Sequence, residues 1–126
     1  MNWVLFLSVL IMCESDGRNG VVGDKHLRNR AYGVCQIRKP YLDDVNRIAG
    51  TGITLEQVRY SPGISRWCTY QYLSHYGKRY TRITGKEMTM EVAARIHNGG
   101  PNGWQRSSTD VYWEKFKQKR VICERE

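Results

Sequence analysis

The chain runs through MEVAARIHNGGPNGW between Met90 and Trp104, where an amphipathic stretch gives way to a glycine-rich turn. Apolar residues at helical spacing predict a short helix from Met90 to Ile96 with one face on a core. The glycines that follow allow backbone conformations that residues with a Cβ disfavour. His97 and Asn98 therefore lie at a helix end, where they either point into a cleft or form a plain C-cap before a tight loop.

A second informative stretch is the apolar run Asn2–Met12, which leads to Glu14. It has the length of a signal-peptide core and is too short to span a bilayer, so we expect no stable membrane insertion. We favour a buried helix, because no Lys or Arg precedes the run and cleavage before Glu14 would place a charged amine on that residue. Hydrophobicity on every face predicts an enclosed helix, which Gly17 and Gly20 stop. Any export signal would then lie outside this chain or be absent.

The remaining helices and turns are predicted from hydrophobic periodicity and from the residues that interrupt it. The sequence predicts helices at Pro40–Ala49, Ile64–Tyr76 and Thr109–Lys119, a turn capped by Thr54, and a break at Ser61–Gly63. Gly77 is expected to close the second of these helices, and residues 81–86 to form a polar linker. The expected core faces are Leu42, Val45 and Ile48 in the first helix, Trp67, Cys68, Tyr72 and Tyr76 in the second, and Val111, Tyr112 and Phe116 in the third. A short β-hairpin fits between Asn19 and Cys35. We expect residues 1–126 to form a single, mainly helical domain.

Length and charge narrow the class of protein. At 126 residues the chain suits one compact domain with one core. A net charge of +8 favours a polyanionic partner, which includes nucleic acid, an acidic membrane surface and an anionic cell wall. Lys and Arg are scattered from Arg18 to Arg125 without a dense basic run or a zinc-finger spacing. We therefore expect no nucleic-acid partner.

Several motifs in one order resemble the invertebrate-type lysozymes. They are Glu-Ser-x-Gly from Glu14, Tyr-Gly-x-x-Gln-Ile-x-x-Pro-Tyr from Tyr32, Tyr-Gly-Lys-Arg-Tyr at 76–80, the Ala94–Gly103 turn, and Tyr112-Trp113. The resemblance covers Val9 to Lys117, and a more distant similarity is to soluble lytic transglycosylases and goose-type lysozymes. It implies a lysozyme-like helical fold with a central apolar helix, and cleavage of the β-1,4 bond between N-acetylmuramic acid and N-acetylglucosamine in peptidoglycan strands. It also implies a monomer without metal or cofactor, acting in a secreted, cell-wall or periplasmic setting.

The resemblance assigns Glu14 as the catalytic acid. Breaking a glycosidic bond requires a proton for the leaving oxygen, so a carboxyl must stay protonated near neutral pH, which burial against apolar groups favours. The apolar run before Glu14 predicts such surroundings, although an exposed Glu at a helix end is the alternative. Ser15 either orients the acid or is an ordinary helix-terminal hydroxyl.

The second carboxylate is harder to assign. The family pairs the acid with an Asp between the Glu-Ser and Gly-x-x-Gln motifs, where this chain offers only Asp16 and Asp24. Asp24 is the better match, but counting back from Gln36 without gaps places His26 at the family position. Asp24 is therefore either a nucleophile or charge stabiliser, or a loop residue that makes a turn. In the second case Glu14 alone would act as acid and base in a lytic transglycosylase that forms 1,6-anhydro sugars.

Further residues are candidates for substrate binding. Gln36 and Asn98 offer amides suited to sugar hydroxyls and N-acetyl groups, and the resemblance adds Tyr32, His97 and Tyr112 as cleft neighbours. Core packing is the alternative for both tyrosines, and His97 could instead bind a backbone carbonyl. No spacing marks a His-Ser pair for isopeptidase chemistry. A non-catalytic glycan-binding protein is a further alternative, against which the retention of Glu14 argues.

The four cysteines, Cys13, Cys35, Cys68 and Cys123, are even in number and permit two disulfides. Only Cys68 resembles a cysteine of the disulfide-rich family, and Cys13 and Cys35 stand where the family carries apolar residues. We therefore favour buried thiols. The chain has no CxxC pair and no clustered Cys/His spacing, so we expect no metal site.

Overall fold

A computed structural model describes residues 1–125. Those residues form six α-helices and one two-stranded antiparallel sheet. In chain order the elements are α1 (Trp3–Glu14), β1 (Val22–Gly23), β2 (Ala31–Tyr32), α2 (Lys39–Ala49), α3 (Leu55–Tyr60), α4 (Pro62–Thr84), α5 (Met90–Gly99) and α6 (Asp110–Arg125), with short 3₁₀ turns at Gly103–Gln105 and Ser107–Thr109. The expected mainly helical fold with a short hairpin is confirmed.

The contacts of the chain divide it into two compact units. The middle unit is Glu14–Tyr72, and the terminal unit combines Met1–Cys13 with the chain from Leu73 onward. The apolar side chains buried in the middle unit are Ala31, Val34, Cys35, Ile37, Leu42, Val45, Val58, Cys68 and Tyr72. Those buried in the terminal unit are Phe6, Val9, Leu10, Cys13, Leu73, Tyr76, Tyr80, Ala93, Ala94, Ile96, Tyr112 and Phe116. Each unit thus has a core of its own.

Helix α1 begins at Trp3 and ends at Glu14, so the expectation of an apolar helix leading to this carboxylate is correct. Phe6 is fully buried and its ring lies 5.3 Å from that of Phe116 in α6. The expectation that the helix is enclosed on every side is wrong at Val4, which is 80% exposed. Helix α1 therefore has one uncovered face near its start, where Val4 and Ser8, one turn apart, are both exposed.

Helices α4 and α6 are longer than the sequence predicts. Gly77 does not close α4, which continues to Thr84 through most of the expected polar linker. Gly77 is buried instead, and a Cβ there would lie 2.7 Å from the Met88 sulfur, so close packing explains the glycine. Helix α6 runs to Arg125, beyond the expected end, and Val111 on its first turn is 81% exposed, so its assignment to the core is wrong.

Shorter elements match their local signals. Thr54 caps α3 by accepting a hydrogen bond from the Gln57 backbone, and the Gln57 side chain in turn accepts one from the Thr54 backbone, which completes a capping box. Leu42 and Val45 of α2 are buried as expected, and Gly50 ends that helix with a left-handed backbone. The prediction that Trp67 lies on the core face of α4 is wrong, because its side chain is 38% exposed.

The hairpin pairs Val22 with Tyr32 and Gly23 with Ala31. Beyond it, Tyr32 and Ile37 exchange two backbone hydrogen bonds of 2.9 Å each, closing a turn over residues 33–36. Gly33 has φ +76°, and its backbone passes close to α3, because a Cβ there would lie 2.4 Å from the Val58 carbonyl oxygen. The turn over residues 33–36 and α3 are therefore packed backbone to backbone.

We expect Gly33→Ala to destabilise the protein by about 2–4 kcal/mol, because the variant adds a clash with a backbone carbonyl to the cost of a left-handed alanine. Gly50→Ala is the matched control, since Gly50 also has positive φ but a Cβ added there would have no neighbouring atom within 4 Å. It should cost about 1 kcal/mol. Urea unfolding of both variants measures the difference, and equal losses would contradict the close packing.

Candidate active site

The end of α1 carries the candidate acid. Glu14 is the last helical residue and is half-buried, and Ser15 directly after it is 2% exposed. The Ser15 hydroxyl donates a 2.8 Å hydrogen bond to the Val34 carbonyl and accepts one of 3.2 Å from the Gly17 backbone N–H. Ser15 is therefore a buried structural link, and it holds the chain beside Glu14 against the turn over residues 33–36.

That turn also holds Gln36. The Gln36 backbone is left-handed, with φ 53°, and its side-chain amide donates a 3.1 Å hydrogen bond to the Gly33 carbonyl. Its Oε1 lies against strand β1, where a Cβ on Gly23 would approach to 2.1 Å. Tyr32, two residues before Val34, is half-buried. The turn and the hairpin thus bring together Gln36, Tyr32 and the Ser15 link within the middle unit.

Asp24 lies at the start of the exposed segment that joins β1 to β2. Its backbone is left-handed, with φ 52°, and its Oδ2 forms an ion pair with the Arg38 guanidinium. Arg38 also donates a hydrogen bond of 2.5 Å to the Asn29 carbonyl. Arg38 therefore orients the Asp24 carboxylate by binding its Oδ2 oxygen.

Electrostatics connect Glu14 with the thiol of Cys35. Burial raises the pKa of Cys35, hydrogen bonding with Thr69 and Ser65 lowers it, and the negative charge of Glu14 raises it further. The Cys35 backbone N–H also donates a 3.2 Å hydrogen bond to the Ser65 hydroxyl of α4. The fully buried Cys35 thiol thus contacts α4 and lies within electrostatic range of the Glu14 carboxylate.

The terminal unit carries the other predicted site residues. His97 and Tyr112 are buried, and their rings lie 6.5 Å apart between centroids, with the planes tilted by 39°. Asn98 is exposed, and α5 continues past it to Gly99, three residues beyond the predicted end. His97 and Tyr112 are thus packed against each other as buried side chains, while the Asn98 side chain is exposed.

The glycine-rich turn after α5 is fastened by Arg79, and Arg95 ties α5 to the start of α6. Arg79 of α4 donates hydrogen bonds of 3.2 Å to the Pro101 carbonyl and 3.0 Å to the Asn102 side chain. Arg95 of α5 donates to Thr109 at 2.9 Å and to Asp110 at 2.6 Å. Hydrogen bonding with Asp110 is the main cause that raises the pKa of Arg95. The Arg79 contacts therefore fix the backbone that follows Asn98.

Sequence reasoning missed Arg38, Arg79 and Gly23. Each acts on a residue many positions away, so periodicity and spacing give no signal for the two arginines. Gly23 had one available signal, because a glycine inside a short strand marks a close approach by another group.

Within the described residues 1–125 no three side chains of His, Cys, Asp or Glu come together as a metal site. None of the helices in that part of the chain is long and apolar enough to cross a bilayer. The four cysteines are thiols in the structure, three of them buried and Cys123 half-buried.

The sequence is similar to lysozymes of marine bivalves. It is 32% identical over 113 residues to a lysozyme of Meretrix lusoria, covering 89% of this chain and 85% of the relative. It is also 32% identical over 112 residues to an invertebrate-type lysozyme of Ruditapes philippinarum, covering 87% of this chain and 77% of the relative. No family model matches the sequence.

The fold is similar to solved lysozymes as well. The crystal structure of Aeromonas hydrophila PliI in complex with Meretrix lusoria lysozyme contains a chain that matches with a TM-score of 0.76 and 28% identity. The match covers 90% of this chain and 87% of that chain. The overall fold is therefore shared with that structure over most of both chains.

We expect Ser15→Ala to cost about 1–3 kcal/mol in stability, because it leaves the buried Val34 carbonyl without its donor. Activity should fall as well, since the chain next to Glu14 loses its link to the turn over residues 33–36. Ser8→Ala is the matched control, because the Ser8 hydroxyl bonds the Val4 carbonyl at an exposed position of the same helix. Thermal unfolding should show a change below about 0.5 kcal/mol for this control. Equal effects would contradict the role of the Ser15 link.

Proposed function

Because this chain belongs to the invertebrate-type lysozymes and is a peptidoglycan-cleaving enzyme, we propose that it is a muramidase with Glu14 as its general acid. The bond cleaved is the β-1,4 linkage between N-acetylmuramic acid and N-acetylglucosamine. The observation that carries the proposal is the position of Glu14 at the end of apolar α1, linked through Ser15 to the turn that holds Gln36.

The chemical role of Glu14 follows from this setting. Leaving-group departure needs a proton on the glycosidic oxygen, and Glu14 is a half-buried carboxyl at the end of an apolar helix. Glu14 donates its proton to the leaving oxygen and, once ionised, activates water for the second step.

We propose Asp24 as the second carboxylate. The Arg38 ion pair fixes one carboxylate oxygen in place, and the other is the oxygen that would face a developing positive charge on the sugar. The same ion pair also supports the alternative, because an exposed aspartate whose charge is already matched by an arginine is a weaker nucleophile. A lytic transglycosylase, with Glu14 as sole acid and base, is the mechanism favoured by that observation.

The remaining predicted residues would bind the glycan. The exposed Asn98 amide and the Gln36 amide are the groups suited to N-acetyl and hydroxyl recognition, while Tyr32, His97 and Tyr112 would supply walls. Ser15 contributes by orienting the segment beside the acid. We propose that the enzyme works as a monomer outside the cell, at the bacterial wall, and without a metal or cofactor.

We expect Glu14→Gln to fold normally and to retain less than a tenth of wild-type activity, because the amide keeps the shape of the side chain but donates no proton of the required acidity. Turbidity loss of purified cell walls measures the rate. Glu56→Gln, at an exposed position of α3, is the matched control and should remain fully active. A Glu14→Gln variant with near-normal activity would refute the assignment.

Asp24→Asn separates hydrolysis from transglycosylation. If Asp24 stabilises the transition state, the variant should lose about two orders of magnitude or more in rate, and the wild-type products should carry reducing muramic acid ends. Arg38→Gln is the control, because it removes the same ion pair and keeps the carboxylate. Mass spectrometry distinguishes 1,6-anhydro products by the loss of one water. Predominantly anhydro ends with a mild effect of Asp24→Asn would replace hydrolysis by transglycosylation and leave Glu14 in its role.

A further inference from the structure

The segment between β1 and β2 is a basic loop, Asp24–Arg30, with the sequence DKHLRNR. All seven residues are exposed. The loop carries three permanent cations, Lys25, Arg28 and Arg30, together with His26. Its one acidic residue, Asp24, is engaged by Arg38. The tip of the hairpin thus presents concentrated positive charge to solvent.

This charge is not neutralised within the described residues. Many cations elsewhere are paired with carboxylates, among them Lys39 with Asp43, Arg47 with Asp44, Arg95 with Asp110, Lys117 with Glu114 and Arg120 with Glu124. Within residues 1–125 no carboxylate lies within 4.0 Å of the side-chain nitrogens of Lys25, Arg28 or Arg30. Those three side chains are therefore available to an external anion.

The loop is held in a defined shape. Arg38 bonds the Asp24 side chain at its start and the Asn29 carbonyl near its end, and the Leu27 N–H donates a 2.9 Å hydrogen bond to the Asp24 carbonyl. A fixed loop loses little conformational entropy when it binds, so its cations form a better recognition surface than charges on a free tail.

We propose that the basic loop binds the carboxylates of the peptide stems that peptidoglycan carries on its muramic acid residues. This inference rests on the proposed function, since the stems reach the loop only if the glycan strand is the substrate. The loop begins at Asp24 and leads directly into the strand of Tyr32, so a stem attached to a bound sugar is tethered beside it. Tethering raises the effective concentration of those carboxylates, and arginine binds them through two parallel hydrogen bonds.

The test compares two triple variants with the same loss of charge. One carries Lys25→Gln, Arg28→Gln and Arg30→Gln in the loop. The other carries Lys78→Gln, Arg82→Gln and Lys86→Gln, which replace exposed cations on α4 and just after it. The substrates are purified peptidoglycan stripped of phosphate polymers, and the same material with its carboxylates converted to amides. KM and kcat are measured from released products, and binding by co-sedimentation with each material.

We expect the loop variant to raise KM on the stripped peptidoglycan about tenfold at low salt with kcat little changed, whereas the α4 variant should resemble the wild type. The difference should vanish on amidated material and at 1 M salt, where the Debye length is about 3 Å. Equal effects of the two triple variants would overturn the proposal, because they would indicate net charge alone. An effect that persists on amidated material, or that requires phosphate polymers or anionic lipid vesicles, would overturn it too.

Failure of the proposed function would look different. If the wild type cleaves neither material, the muramidase assignment fails, while co-sedimentation still reports whether the loop recognises stem carboxylates. If the wild type cleaves both materials and the two triple variants bind alike, the loop proposal fails and the muramidase assignment stands.

Discussion

The hydrogen bond from the Ser15 hydroxyl to the Val34 carbonyl is the interaction on which the candidate active site depends. It joins residues 19 positions apart and ties the end of an apolar helix to a turn whose shape is set by Gly33. A buried carbonyl that loses its donor costs more than an ordinary hydrogen bond contributes, so the site resists displacement of this link. Glu14 directly precedes one end of that bond, and Gln36 lies two residues beyond the other.

Local signals in the sequence were sufficient for much of the fold. The apolar helix that leads to Glu14, the cap at Thr54 and the short hairpin were predicted from apolar runs, caps and turn residues that lie close together in the chain. The prediction that Gly77 ends a helix was wrong. A glycine inside a helix costs about 1 kcal/mol relative to alanine and therefore predicts a stop. Its close packing against Met88, which explains the glycine, depends on the folded structure. The prediction that Val111 lies in the core was wrong for a related reason. Helical spacing does not say which face of a terminal helix is covered.

The candidate site was less predictable than the fold. Residue types and motif order made Glu14, Gln36 and Asn98 candidates, but they did not point to the groups that orient the surroundings of these residues. Arg38 reaches Asp24 across 14 positions, and Arg79 reaches Asn102 across 23. Such pairs depend on tertiary packing. In the sequence, arginines that form them look the same as arginines on the solvent-exposed surface. The exposure of Asp24 could not be predicted either, because a residue in a loop belongs to no helical or strand periodicity.

The buried thiols in the middle unit have a consequence for how its motions can be observed. Cys35 and Cys68 have no exposed surface, and burial raises the pKa of Cys68 to about 11. At neutral pH about one Cys68 thiol in 10⁴ is then ionised, and no reagent reaches even that fraction while the core is closed. Labelling by an alkylating reagent therefore has to proceed through opened states, and its rate measures how often the core around α4 opens. Two native cysteines thus report local unfolding in the same unit that holds the proposed acid, without any label having to be engineered into the chain.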